Sequence, residues 1–163
     1  MSPLHIHLSH PNRDKPVAIA TRAIVILLLL ISIAMMLAVA VGGWSSLAGQ
    51  RPALVAYVLI YLVLAYYTYG WRRGVLPIIA SLAVILAIFS AVAGASWFAR
   101  DKTGFATTAL GSNMLGLITY LIIPVQVLLA GFAARGFAQN WHVEVEHDHP
   151  HAEHSGGASA HPA

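Results

Sequence analysis

The chain has 163 residues, of which 58% are hydrophobic, with a mean hydropathy of +0.73 and a formal charge of +3. Its nine Lys and Arg residues flank apolar runs, as membrane insertion requires; this excludes a nucleic-acid binder and leaves little chain for a soluble domain. Cysteine is absent, so disulfides, thiolate metal sites, iron–sulfur clusters and thiol nucleophiles are excluded as well.

No Asp, Glu, Lys, Arg or His occurs in 23–50, 52–71, 74–99 or 103–134. A hydrocarbon core about 30 Å thick takes roughly 20 helical residues to cross, and lipid offers no partner to unpaired backbone groups. The expected fold is therefore all-α, an integral membrane four-helix bundle. It comprises an N-terminal tail (1–15), the bundle (16–141) and a C-terminal tail (142–163), both tails His-rich and disordered. The spans are predicted at about 19–43, 53–70, 75–98 and 108–135.

The first span follows Arg13, Lys15 and Arg22, and from 23 to 41 only Ser32 interrupts the apolar run. That length exceeds a signal-peptide core of about 7–15 residues, so the span is retained despite the cleavage-like Ala38-Val39-Ala40. Pro16 suits its first turn and Gly42-Gly43 its end. Ala34, Ala38 and Gly42 form a row of small residues suited to close helix contact.

In the second span, Pro52 marks the start and Gly70 the end. Tyr66, Tyr67 and Tyr69 sit near that end, where interfacial anchoring accounts for them. Tyr57 and Tyr61 lie deeper, one turn apart, and their hydroxyls need partners: structural hydrogen bonds or a pocket lining. The third span begins near Pro77. It carries Ala83, Ala87, Ala91 and Ala95 at four-residue spacing, which predicts an interface on the central helix.

The fourth span is the most polar. Ser112, Thr119 and Gln126 recur every seven residues on one face, with Asn113 and Tyr120 in a parallel row. Ser112 and Gly116 begin another row of small residues. Pro124 frees the carbonyl of Tyr120 and predicts a kink near 120–124. The polar stripe either glues helices together or lines a narrow pathway or headgroup site, with glue the favoured reading.

One tryptophan, Trp44, Trp71, Trp97 or Trp141, stands at the end of each span, the level at which indole rings anchor. Arg13, Lys15, Arg22, Arg72, Arg73 and Arg135 fall on one side of the membrane; Arg51, Arg100 and Lys102 fall on the other. The imbalance predicts that both termini are cytoplasmic, and sparse charge with abundant Ala and Gly suits a bacterial inner membrane.

All nine histidines lie in the tails. His147, His149, His151 and His154, with Asp148 and Glu153, offer imidazole and carboxylate ligands for Zn, Ni, Cu or Co; His5, His7 and His10 form a weaker set. The competing reading is a solvated tail whose imidazoles charge near pH 6–7. No His lies in a span to hold haem, no carboxylate or Lys to relay ions, and no nucleophile–base–acid set forms near the midplane. A non-catalytic accessory or interaction subunit follows, embedded in the lipid bilayer and packed against a larger membrane complex or a second copy. The alternative is a small transporter or metal-handling protein in which Tyr57, Tyr61, Ser112, Thr119 and Gln126 line a passage.

Overall fold

The computed structural model describes residues 8–9, 15–100, 102, 108–139 and 145–146. Four helices, each long and apolar enough to cross a membrane, make up almost all of it: α1 Pro16–Gly42, α2 Arg51–Tyr69, α3 Leu76–Ala99 and α4 Ser112–Ala138. The chain is a multi-pass membrane protein whose environment is the lipid bilayer. At 1.5 Å per residue, the 27 residues of α1 extend about 40 Å and the 19 of α2 about 28 Å.

Proline opens three of the helices. Pro16, Pro52 and Pro77 occupy first-turn positions of α1, α2 and α3, where the missing N–H has no intrahelical acceptor. Pro124 lies inside α4, which continues through it as one helix. A short 3-10 turn follows α1 (Trp44–Ser46) and another leads into α3 (Arg73–Val75). Leu8–Ser9 (β1) pairs antiparallel with Val145–Glu146 (β2), Leu8 facing Glu146, so the two tails meet at one end of the bundle. That end, where α1 begins and α4 finishes, is the tail end; the far end carries the α1–α2 and α3–α4 connections.

Buried positions step by alternate threes and fours. In α4 that row is Leu115, Thr119, Ile122, Gln126, Leu129, Ala133 and Gly136, with Gly116 buried beside it; in α2 it is Val58, Tyr61, Ala65 and Thr68, with Leu64 beside it. An average of 3.5 is the repeat of left-handed helix packing at about 20°, the common geometry of membrane bundles. It corrects the expected interface on α3. The buried row there is Ile79, Ala83, Leu86, Ser90, Gly94 and Trp97, whereas Ala91 and Ala95 are exposed. A strict four-residue row drifts around the helix away from a seam of period 3.5, so only Ala83 remains at its centre. Likewise Gly42 is buried in α1 while Ala34 is exposed.

The helices are joined in the order α2–α1–α4–α3. The α3–α4 interface is the largest, α1–α4 and α1–α2 follow, and α2 scarcely meets α3. The α3–α4 seam locks reciprocally. The Tyr120 ring of α4 lies over Gly94 of α3, where a Cβ would come within 2.7 Å of it. The Phe98 ring of α3 covers Gly116 of α4, where a Cβ would come within 2.8 Å. The two rings stack at 5.7 Å with 24° between their planes. Glycine is required at both positions because each ring rests directly on backbone.

Candidate functional site

Because α2 and α3 fail to close, a cleft of about 360 Å³ opens between them in the far half of the bundle. Such a volume falls in the range of small-molecule and side-chain-cluster pockets. Leu54 and Tyr57 of α2 form one wall, Phe89, Ala93 and Trp97 of α3 the other. Met36 of α1 with Thr119 and Ile122 of α4 form the back, and Gln50, Ser90 and Ser96 add scattered polar atoms. The lining is otherwise apolar and holds no charged residue.

One turn toward the tail end lies a polar tie across three helices. The Tyr61 hydroxyl donates to Gln126 Oε1 at 2.9 Å, Gln126 Nε2 donates to Ser32 Oγ at 2.8 Å, and Ser32 Oγ donates to the Leu28 carbonyl at 2.7 Å. Tyr61, Gln126 and Ser32 are each 0% exposed. Every residue of the tie is one helical turn below a cleft residue: Tyr61 below Tyr57, Gln126 below Ile122, Ser32 below Met36. Polar groups in hydrocarbon must find partners within the protein, and here they satisfy one another. The cleft therefore ends on a closed floor.

The polar residues singled out in α2 and α4 thus divide. Tyr57 and Thr119 line the cleft, with Tyr57 packed edge-on against Tyr61 at 5.9 Å. Thr119 donates back to the Leu115 carbonyl at 2.7 Å. Tyr61 and Gln126 belong to the tie, Tyr120 to the glycine lock, and Ser112 and Asn113 to the first turn of α4, half-buried and exposed respectively. The periodicity missed Ser32, the third member of the tie. It is the one polar residue within 23–41, and that isolation was the available signal.

Of the tryptophans, Trp44 is exposed at the far end and Trp71 half-buried at the tail end, while Trp97 turns inward, 5% exposed, against Gly43 and the cleft. Trp141 lies outside the described residues. So do His5, His7 and His10, and so do His147, Asp148, His149, His151, Glu153 and His154; among the described residues no metal-ligand cluster occurs.

The arginines at the helix ends differ in how fully their donors are met. At the far end, Arg51 donates twice to the Trp44 carbonyl, from Nε at 3.2 Å and Nη2 at 2.6 Å, with its guanidinium 4.4 Å from the Trp44 ring. At the tail end, Arg22 lies 4.2 Å from the Trp71 ring and donates from Nη1 to the Tyr69 carbonyl at 3.1 Å, while its buried Nε finds no acceptor. Arg73 sits 4.3 Å from the Phe137 ring, and its buried Nε also lacks one. A buried donor without an acceptor costs about 1–3 kcal/mol.

The turn that carries these side chains is itself strained. Arg72 N–H donates to the Tyr67 carbonyl and Trp71 N–H to that of Thr68, the paired bonds of a Schellman cap. That cap needs a left-handed residue, and Trp71 supplies it at φ 59°, at a cost of about 1–2 kcal/mol. Gly70, the expected terminator, keeps φ −74°. Comparison with protein-family models, curated proteins and solved structures finds no match.

Proposed function

We propose that this chain is a non-catalytic accessory subunit of the membrane, whose open α2–α3 side receives a transmembrane helix of a larger complex. The observation that carries the reading is the cleft: three of the four possible neighbouring interfaces are packed, and the fourth leaves an apolar cleft bounded by Tyr57, Phe89 and Trp97. Helix association in lipid rests on close van der Waals contact, so an unfilled flank of this kind gains contacts when another helix fills it. Transport through the bundle is disfavoured because the Tyr61–Gln126–Ser32 tie closes the floor and uses its polar atoms internally. Both tails lie on the cytoplasmic side in this reading, and a bacterial inner membrane is the proposed location. The histidines of 147–154 then form a peripheral ligand set for a divalent transition metal.

A photoreactive amino acid placed at Phe89, in the cleft, and at Val127 of α4, itself 63% exposed, tests the reading in native membranes. A discrete protein adduct from position 89 and lipid adducts alone from 127 are expected. Lipid adducts alone from both positions contradict a helix-receiving role. Calorimetric titration of Zn²⁺ and Ni²⁺ into the full chain and a chain ending at Trp141 separately tests the metal component: saturable binding lost on truncation is the expected result.

A further inference from the structure

We propose that the tail-end turn between α2 and α3 binds a phosphate group, specifically the phosphate of an anionic lipid headgroup, with Arg72 and Arg73 as its direct ligands. Beside the turn is a depression of about 380 Å³ lined by Tyr67, Arg72, Arg73, Gly74 and Val75. Two adjacent arginines therefore share one concavity, and among the described residues neither guanidinium donates a hydrogen bond or meets a carboxylate. The planar, forked donors of arginine match phosphate oxygens, and here an exposed Arg72 stands beside a half-buried Arg73 in one concavity.

Three further features single out this turn from an ordinary basic loop. The Arg73 guanidinium is seated on the Phe137 ring of α4, which fixes its direction, and its Nε is buried without an acceptor. Arg22 of α1, held over Trp71, adds a third cation with a second unpartnered Nε. The backbone reaches this arrangement only through the left-handed Trp71, a conformation that a residue with a Cβ adopts at a cost. At the far end, by contrast, Arg51 is satisfied by a carbonyl and calls for no ligand. The depression lies at the end of α2 and the start of α3, the level of lipid phosphates, and basic pockets between membrane helices recognise such headgroups.

The test incubates the full-length protein in detergent with equimolar phosphatidylglycerol and phosphatidylcholine and reads bound lipid by native mass spectrometry. Preferential retention of phosphatidylglycerol is expected, reduced about tenfold or more in R72Q/R73Q and unchanged in R51Q. Because Arg72 is exposed, R72Q alone provides a variant that leaves the fold intact, with an expected loss of roughly fivefold. Inorganic phosphate added at millimolar concentration distinguishes the source. Lipid retained in its presence supports the headgroup, whereas displacement assigns the same arginines to free phosphate and overturns the lipid assignment. Equal retention by folded wild-type, R72Q and R72Q/R73Q proteins overturns the site.

Discussion

In the tail half of the bundle, Val25, Leu29, Ile79 and Leu129 are fully enclosed, and helices α1, α2, α3 and α4 all contribute to one continuous core. In the far half, a smaller cluster of Val39, Leu47, Trp97 and Leu115 stands beside an open cleft. Both halves draw on the same apolar residues at the same 3.5-residue spacing, so hydrophobicity does not distinguish them. The difference lies in what meets across the α2–α3 gap. Toward the tail end, the short turn at 70–75 pins the end of α2 to the start of α3. Toward the far end those helices are joined to α1 and α4 instead, and among the described residues they scarcely meet. A bundle can thus be well packed and still present an unfilled side.

Large-to-small substitutions should separate the halves most clearly. Leu129→Ala is expected to cost roughly 2–3 kcal/mol, the low end for buried leucine because lipid lessens the transfer term, whereas Phe89→Ala at the cleft mouth should cost less than about 1 kcal/mol. Unfolding in a graded mixture of mild and denaturing detergent measures both, and equal losses would remove the contrast between tight and open regions. The glycine lock makes a second comparison. Gly94→Leu and Gly116→Leu should each cost about 1–3 kcal/mol by forcing Tyr120 or Phe98 off its seat, while Gly131→Leu, with nothing within 4 Å, should be neutral.

The tie is expected to have smaller effects. Gln126→Ala leaves the Tyr61 hydroxyl and Ser32 without their shared partner and should lower stability by about 1–2 kcal/mol. Tyr61→Phe removes one hydrogen bond and should cost about 0.6 kcal/mol, the average for such bonds in membrane bundles. A loss from Tyr61→Phe as great as that from Leu129→Ala would mean that polar ties, not packing, hold the tail half together.

The four spans were legible because charge is excluded from hydrocarbon and the lengths match a bilayer. Their pairing was less so. The alanine row of α3 advertised an interface at four-residue spacing, but the bundle selects a 3.5-residue seam, and a row of small residues carries no information about supercoil. The partnership of Tyr61 with Gln126 is half legible: Tyr61 stands out as a deep hydroxyl in need of a partner and Gln126 as part of a polar stripe suited to joining helices, yet which helix supplies the acceptor depends on neighbour order. That order also creates the cleft, and no local pattern encodes it. In the sequence Arg22 and Arg73 carry only an orientation signal, since their stacking on Trp71 and Phe137 joins residues 49 and 64 positions apart.

The most direct test of the open side is to fill it. Ala83 is fully enclosed in the closed half, whereas Ala93 lines the cleft on the same helix. Thermal unfolding of Ala83→Phe and Ala93→Phe, measured side by side in one detergent, should show a loss of about 3 kcal/mol or outright misfolding for the first and a change within about 0.5 kcal/mol for the second. Equal destabilisation by both would mean that α2 and α3 close against each other and that no cleft exists to receive a partner.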